Sequence, residues 1–248
     1  EPKAVSDLNT AYHDGPLTMS ADGNTIYFAR DSHSEGSYQK DSKNNVKVGQ
    51  QGIYKATKVN GNWTNIQALP INSTKYSVGN PSLSKDGKTL YFASNMPGGK
   101  GETDIWKISI SNNSYGKPDN LGSKVNTSGR ETFPCIADDN VLYFASFGRQ
   151  GLGGLDIFVS KINGNTFSNP KNIGAPVNGQ MDDFGYVVDT KTRIGFFSSN
   201  REGGKGYDDI YKFKEDKKTV CKQLLAGSIT DSQTGKALSE AKVSLYDD

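Results

Sequence analysis

The sequence is short of cysteine, histidine and long apolar runs, and each shortage excludes a class of protein. Two cysteines, Cys135 and Cys221, are too few for a disulfide framework or a metal cage. With only two histidines, His13 and His33, a transition-metal site is not expected either. No stretch approaches the roughly 18 apolar residues of a membrane-spanning helix, and residues 1–10 lack the apolar core of a signal peptide. We therefore expect no cofactor and no direct membrane insertion, while a signal or lipid anchor further upstream stays open.

Charge and composition narrow the choice of fold and partner. The 29 Lys and Arg residues nearly balance the 27 Asp and Glu residues, which gives a formal net charge of +2, and no basic run stands out. Nucleic-acid binding needs a concentrated basic surface and is therefore not expected. Only 33% of the residues are hydrophobic, whereas there are 28 Gly and 12 Tyr. This proportion of turn formers and aromatics favours many short strands over helices.

One stretch, residues 79–110, occurs in reduced form three more times. Its aromatic pair lies at Tyr27-Phe28, Tyr91-Phe92, Tyr143-Phe144 and Phe196-Phe197, in steps of 64, 52 and 53 residues. An isoleucine that opens a later strand lies at Ile53, Ile105, Ile157 and Ile210, in steps of 52, 52 and 53. A hydrophobic residue followed by Asn ends at Asn9, Asn72, Asn126 and Asn178, in steps of 63, 54 and 52. A period of about 52 residues is close to the length of a propeller blade.

Each repeat is predicted to be a blade of four strands, a to d, with hairpin turns such as Asp86-Gly87 between strands a and b. Four such blades in tandem predict an all-β protein with a β-propeller over residues 1–217. The blades are predicted at about residues 14–70, 79–123, 131–175 and 182–214. The aromatic pairs are expected in the core, and so is Cys135, because alternation places one member of each pair between blades.

Both ends of the chain depart from the pattern. Residues 1–8 resemble 117–125 and 169–177, so we expect an outer strand there. That strand either completes blade four and closes a ring of four, or belongs to an upstream blade of a larger ring. After residue 224 a strand, a turn at Asp231–Gly235 and a strand over Ala241–Tyr246 predict the start of a β-sandwich.

Blade one carries an insertion over residues 31–51, polar and without periodicity. Long surface insertions of this kind are commonly solvated and partly mobile. Insertions in repeat proteins also gather on a binding face, so a recognition loop is the alternative.

Three quoted stretches carry a resemblance to known families: "SKDGKTLYFASNMPGGKGETDIW", "GRETFPCIADDNVLYFASFGRQGLGGLDIF" and "DDFGYVVDTKTRIGFFSSNREGGKGYDDIY". They resemble the WD-like repeats of TolB-type periplasmic propellers. More closely, they are similar to the propeller of outer-membrane-associated Bacteroidota proteins of the OmpA family, including the PorE-like component of the type IX secretion and gliding apparatus. The resemblance covers residues 1–214, and residues 224–248 look like the start of a carboxypeptidase-regulatory-like domain.

The resemblance implies a non-enzymatic scaffold in the periplasm, associated with the outer membrane. Its partners would be other envelope proteins of a secretion or outer-membrane complex. In that family peptidoglycan is bound by a separate domain, which this sequence does not contain. Whether calcium binds at the acidic turns stays open.

The loops that differ between blades are expected at one end of the propeller, where the b–c and d–a connections meet. The candidate partner-binding residues of this face are His13, Asp14, Tyr38, Lys100, Arg130, Glu131, Arg149, Asp182, Asp183, Arg201 and Lys205. The glycines of these loops serve either tight backbone geometry, with solvated charges around them, or a recognition surface. Phosphate binding is disfavoured because the glycine loops lead into strands rather than helices.

A hydrolase is the competing interpretation of the same face. The pairs Asp182-Asp183 and Asp208-Asp209 suggest acid and base groups, but adjacent residues of a strand point to opposite faces and glycosidases need two carboxylates across a substrate. No Gly-x-Ser-x-Gly elbow occurs, although a Ser-His-Asp arrangement stays open. We therefore predict a binding module, with function located where the blades differ from blade two.

Overall fold

The computed structural model describes residues 3–41, 43–137, 140–216 and 229–238. The chain divides into one compact unit over Glu1–Asp216 and a second over Lys217–Asp248. Cys221, the first two residues of the turn at 138–140 and the strand expected over Ala241–Tyr246 lie outside the described residues. The first unit is all-β, as expected, and its four small antiparallel sheets form four blades of a propeller.

Blade one has four sheet strands and a separate two-stranded ribbon. Its strands are β1 (Asp14–Met19), β2 (Thr25–Asp31), the ribbon pair β3 (Gln39–Asp41) and β4 (Val46–Val48), β5 (Gln51–Val59) and β6 (Asn62–Ala68). In sequence order β1, β2, β5 and β6 also neighbour one another in space, which is the meander of a propeller blade.

Blades two and three repeat this order, each with the outer strand in two short pieces. Blade two comprises β7 (Val78–Leu83), β8 (Thr89–Ser94), β9 (Asp104–Ser111), β10 (Ser114–Tyr115) and β11 (Asp119–Asn120). Blade three comprises β12 (Glu131–Ala137), β13 (Val141–Ser146), β14 (Asp156–Asn163), β15 (Thr166–Phe167) and β16 (Lys171–Asn172). Blade four has three described strands, β17 (Asp183–Val188), β18 (Ile194–Ser199) and β19 (Asp209–Lys214).

The Asp-Gly turns between strands a and b have the conformation that their sequence predicts. In blade two, Gly87 has φ 69°, a left-handed conformation that glycine adopts without strain. The Asp86 carboxylate accepts hydrogen bonds from the Ser84 hydroxyl at 2.7 Å and the Lys88 N–H at 3.0 Å. These bonds favour the ionised form, so they lower the pKa of Asp86. The turn is therefore fixed by its own side chains.

The core lies between consecutive blades, as the aromatic pairs predict. Tyr27 and Ile53 of blade one pack with Phe92 of blade two, and the next junction joins Ile105 to Phe144 in the same way. Aromatics of the outer strands join these clusters: Tyr115 lies edge-on to Tyr27, with ring centroids 6.5 Å apart. A single blade has two faces and cannot bury both alone, so each blade depends on its neighbour.

After each of blades one to three, an asparagine of the connection to the next blade is hydrogen-bonded to the third strand of the blade before it. The amide of Asn126 accepts from the Ile105 N–H at 2.8 Å and donates to the Ile105 C=O at 2.9 Å. The same pair of bonds joins Asn72 to Ile53 and Asn178 to Ile157. The asparagine of the hydrophobic-Asn signal thus takes the place of a strand partner for the isoleucine. We call this pair of hydrogen bonds the asparagine bracket.

The outer strand expected over residues 1–8 is not seen in residues 3–8. Instead, residues 6–8 form a turn, and the Asn9 side chain accepts from the Val5 N–H at 2.8 Å. Leu8 packs into blade one, while Ile210 of blade four is 76% exposed. In the described residues, Asn9 makes no hydrogen bonds to Ile210 of the kind that Asn126 makes to Ile105. A strand without a neighbour cannot satisfy its own backbone groups, and this segment instead forms a turn.

The insertion of blade one is more structured than the solvated loop that its composition suggests. It contains a short 3-10 helix over Ser32–Glu35 and the β3–β4 ribbon. His33 stacks between two tyrosine rings, with centroids 5.6 Å from Tyr12 and 5.7 Å from Tyr38, and its Nδ1 lies 2.9 Å from Asp31 Oδ1. This stack ties the ribbon to the body of the blade.

In the second unit, residues 229–238 contain a bridge between Thr230 and Ala237 around the expected turn at Asp231–Gly235. Asp231 Oδ1 accepts from the N–H groups of Gln233 and Thr234, and Gly235 has φ 69°.

Candidate functional site

The b–c and d–a connections meet at one end of the propeller, as expected, and we call this end the mouth face. The Glu102 N–H donates to the Gly129 carbonyl at 2.9 Å, and the Gly154 N–H to the Met181 carbonyl at 3.3 Å. A Cβ added at Gly101 would collide with the Gly129 carbonyl oxygen, so the close approach requires glycine there. The glycines of these loops therefore serve backbone contact between connections.

In blades two, three and four, a carboxylate at the start of the third strand holds the glycine loop. Asp104 accepts from the Lys100 N–H at 2.6 Å and the Gly101 N–H at 3.1 Å. Asp209 repeats this with the N–H groups of Lys205 and Gly206. The loops bind their own aspartate with backbone groups, while the Lys100 and Lys205 side chains point into an exposed environment.

The carboxylates that open the first strands are also used internally. Glu131, fully buried, accepts from the Thr127 N–H and hydroxyl, each at 2.7 Å, and from the Ser146 hydroxyl at 2.6 Å. Asp183, equally buried, accepts from the Gly179 N–H and forms an ion pair of 2.7 Å with Arg201. Asp14 accepts from Thr10 and from Arg30 in the same way. These groups brace the d–a connections and leave no free acid and base pair at Asp182-Asp183.

Two predicted arginines act as clamps. Arg149 donates to the carbonyls of Lys124 at 2.5 Å and Val125 at 2.9 Å, and its guanidinium lies 5.9 Å from the Phe144 ring centroid. Arg201 holds the carbonyls of Pro176 and Val177 likewise. Burial lowers the pKa of Arg149, but a guanidinium stays charged at any physiological pH. Both side chains tie a loop to the connection beside it.

The predicted site residues thus fall into two groups. Those committed to internal contacts are Asp14, Glu131, Arg149, Asp183 and Arg201, with Asp182 accepting from the Leu155 N–H at 2.7 Å. Those with exposed side chains on the mouth face are His13, Lys100, Arg130 and Lys205. Tyr38 lies on the blade-one insertion, where its ring stacks on His33. The Lys47 ammonium nitrogen lies 4.4 Å from the centroid of the Tyr38 ring.

Blade three departs from its neighbours at two equivalent loop positions. Strand register aligns Ser94, Ser146 and Ser199, each paired with the aspartate that opens the next strand. The residue after that serine is Asn95 in blade two and Asn200 in blade four, and each amide accepts from the N–H of the adjacent d–a connection at 2.8 Å. Blade three has Phe147 there instead.

The second position lies four residues before the strand-opening aspartate. Blades two and four have Lys100 and Lys205, whereas blade three has Leu152. Phe147 and Leu152 are 59% and 54% exposed, and Met181, on the connection bonded to this loop, is 43% exposed. We call Phe147, Leu152 and Met181 the apolar patch. Large apolar groups replace polar ones where no core covers them.

Two further features of blade three are unusual. Phe133 has φ 48°, where blade two has Asn80 with φ 50°; asparagine tolerates this conformation, but in phenylalanine it costs on the order of 1–3 kcal/mol. The Phe133 ring lies 4.9 Å from that of Phe184. Asp156 Oδ1 is buried without a hydrogen-bond partner among the described residues. Strain and unsatisfied polar groups concentrate at functional sites.

The apolar patch was not among the residues expected from the sequence, which were mainly charged. Apolar side chains beside glycines are easily taken for core. Aligning the repeats on their serine and aspartate would have found it, because Phe147 and Leu152 are the odd members of otherwise polar positions.

The opposite end of the propeller has a cavity of about 420 Å³ among the first strands. It is lined by Leu17, Met19 and Val187, together with Pro81 and Pro134. Leu17 and Met19 are 52% and 49% exposed, so their exposure is comparable with that of the apolar patch.

Across the described residues, no helix has the length and apolar character needed to cross a membrane. In the same part of the chain, no three His, Cys, Asp or Glu side chains lie together in a way that suits a metal ion.

Comparison with known proteins reaches only the level of fold. No family model and no curated protein matches the chain. A solved structure assigned as TolB, from Agrobacterium tumefaciens, is 17% identical with a TM-score of 0.48, over 74% of this chain and 53% of that one. An alpha-L-arabinofuranosidase from Lactobacillus brevis is 16% identical, with a TM-score of 0.49, over 80% and 71%. A GH43 endo-arabinanase from Bacillus licheniformis is 14% identical, with a TM-score of 0.46, over 89% and 74%. The chain spans about half the length of the first, and these similarities carry no inference about activity.

Proposed function

We propose that the chain is a non-enzymatic protein-binding scaffold that takes its partner on the mouth face, with the apolar patch as anchor. The observation that carries this proposal is the replacement of polar loop residues by exposed Phe147 and Leu152 in one blade only. Protein interfaces are rich in aromatic residues, Met and Arg at their centres. The patch has this composition, with Arg130 on the adjoining connection.

The setting proposed for this scaffold is a periplasmic, outer-membrane-associated complex, with partners among the other envelope proteins of a secretion or gliding apparatus. Support comes from the resemblance of the repeats to the OmpA-family propellers of Bacteroidota. Attachment to peptidoglycan would be supplied by a domain outside this sequence. The carboxylates of the mouth face support a binding role over hydrolysis, because Asp183 and Glu131 are consumed by internal hydrogen bonds.

The test compares two matched pairs of substitutions in crosslinking with an envelope extract of the source organism. Phe147→Ser with Leu152→Ser should remove the specific crosslinked partner, whereas Leu17→Ser with Met19→Ser, equally exposed at the opposite end, should keep it. Loss with the second pair and not the first would place binding at the wrong end for this proposal. Turnover of peptide or glycan substrates by the purified chain would contradict a non-enzymatic role.

A further inference from the structure

In the connections around the apolar patch, the fully exposed charged side chains are of one sign. The connections that carry or adjoin the patch are residues 121–131, 147–156 and 173–183. Their acidic residues are Glu131, Asp156, Asp182 and Asp183, and their basic residues are Lys124, Arg130 and Arg149. The two sets are used very differently by the fold.

Every carboxylate of these connections is turned inward. Glu131 and Asp183 are fully buried, and Asp156 is 1% exposed. Asp182 is half-buried and accepts from the Leu155 N–H at 2.7 Å. Carboxylates that are buried and hydrogen-bonded within the fold are not available for direct ion pairs with a partner at the surface.

The basic residues are placed the other way round. The side chains of Lys124 and Arg130 are exposed. Arg149 is half-buried, and its guanidinium donates to the Lys124 carbonyl at 2.5 Å. The adjoining loops of blades two and four carry exposed charges of both signs, such as Lys100 and Glu102. Within the three connections that carry or adjoin the patch, the fully exposed charged side chains are therefore cationic.

We infer that the partner segment seated on the apolar patch is acidic, with aromatic or aliphatic side chains between carboxylates. This inference rests on the proposed function and adds the chemistry of the partner to it. The apolar groups of the segment cover Phe147, Leu152 and Met181, and its carboxylates meet Lys124 and Arg130. Complementary rim charges of this kind raise the association rate and discriminate between partners more than they add affinity.

The probe is a fluorescein-labelled synthetic peptide in which Glu alternates with Phe and Leu, with the same peptide carrying Lys instead of Glu as its counterpart. Fluorescence anisotropy with the full chain should show binding of the acidic peptide, weakened by salt, and a dissociation constant at least about tenfold higher for the basic one. Lys124→Glu with Arg130→Glu should weaken the acidic peptide by a similar factor. Lys88→Glu with Lys191→Glu, the same charge change at the opposite end, should leave it within about twofold.

The outcomes separate this inference from the proposed function. If the two peptides bind equally, or if the Lys124 and Arg130 substitutions change nothing while Phe147→Ser with Leu152→Ser abolishes binding, the acidic partner is wrong and the patch stands. If the serine variant binds the acidic peptide as well as the wild type does, the patch is wrong as the site. Circular dichroism and urea unfolding of each variant exclude loss of the fold as the cause.

Discussion

Blades two and three have the same strand order and the same aspartate under the b–c loop, but their loops end differently. In blade two both oxygens of Asp104 are hydrogen-bonded, and Met96 of the loop is buried in the core. In blade three one oxygen of Asp156 has no described partner, and Phe147 is exposed. Among the described residues, the buried side-chain atom without a partner and the exposed phenylalanine thus lie in blade three and not in blade two.

The two blades are nevertheless joined to the blades that follow them by the same asparagine hydrogen bonds. Shared junctions of this kind let one blade change its surface without weakening its packing against its neighbours. Substitutions at shared positions should therefore act alike in both blades, and substitutions at the loop aspartates should not.

The largest effect is expected where the blades agree. Asn126→Ala and Asn178→Ala each leave a buried isoleucine N–H unpaired and remove one of the two hydrogen bonds to the isoleucine C=O, which keeps a backbone bond. Each should lower the free energy of unfolding by about 2–4 kcal/mol. Urea unfolding followed by tryptophan fluorescence measures both. Asn9→Ala is the control: this exposed residue brackets no isoleucine, so its loss should stay within about 0.5 kcal/mol. A small loss of unfolding free energy for Asn178→Ala beside a large loss for Asn126→Ala would show that the two asparagines are not equivalent.

Smaller changes in the free energy of unfolding are expected at the loop aspartates, with a loss at Asp104 and no loss or a gain at Asp156. In Asp104→Asn the new NH₂ faces an N–H donor in either orientation, so the change should cost about 1–3 kcal/mol. In Asp156→Asn the NH₂ can take the place of the unpartnered Oδ1, while the amide oxygen keeps the bond from the Leu152 N–H at 2.5 Å. That variant also removes a buried charge and should be neutral or stabilising.

The same urea experiment decides this pair, and glutamate variants at both sites check that side-chain length is not the cause. Equal losses for the two asparagine variants would mean that Asp156 is as fully satisfied as Asp104, and the contrast between the blades would disappear.

Repetition explains how much of this could be predicted from the sequence. The period and the hydrophobic-Asn signal gave four blades, because every repeat solves the same packing problem with the same residues. The fate of residues 3–8 was not predictable, since the repeat says what Asn9 should pair with but not whether that partner is in place.

The site was harder to predict for a related reason. Charged loop residues such as Glu131 and Arg149 look available in a sequence, yet backbone donors and acceptors of the neighbouring connection consume them. Phe147 looks like core, yet its side chain is 59% exposed in the part of the chain that the structure describes. Exposure depends on contacts between connections that are distant in the chain, and local pattern does not encode them.

The smallest expected effect concerns the contact between first strands. Ser82 Oγ of blade two accepts from the Ile136 N–H at 2.9 Å, and Cys135 occupies the same register in blade three. Burial raises the pKa of the Cys135 thiol from 9.0 to about 12. Above pH 9 the unfolded chain loses this proton while the folded chain keeps it, so the stabilising contribution is complete below that pH and falls as the pH rises towards 12.

Cys135→Ser should therefore flatten the decline of stability with pH between about pH 9 and about pH 10.5, by at most about 1.4 kcal/mol per pH unit. Both chains are compared in a Cys221→Ser background, so that a single thiol titrates. Ser82→Cys in Cys135→Ser sharpens the comparison, because it moves the titrating group to blade two and should restore the slope. Parallel pH profiles for the chains with and without Cys135 would mean that the thiol is accessible in the folded state.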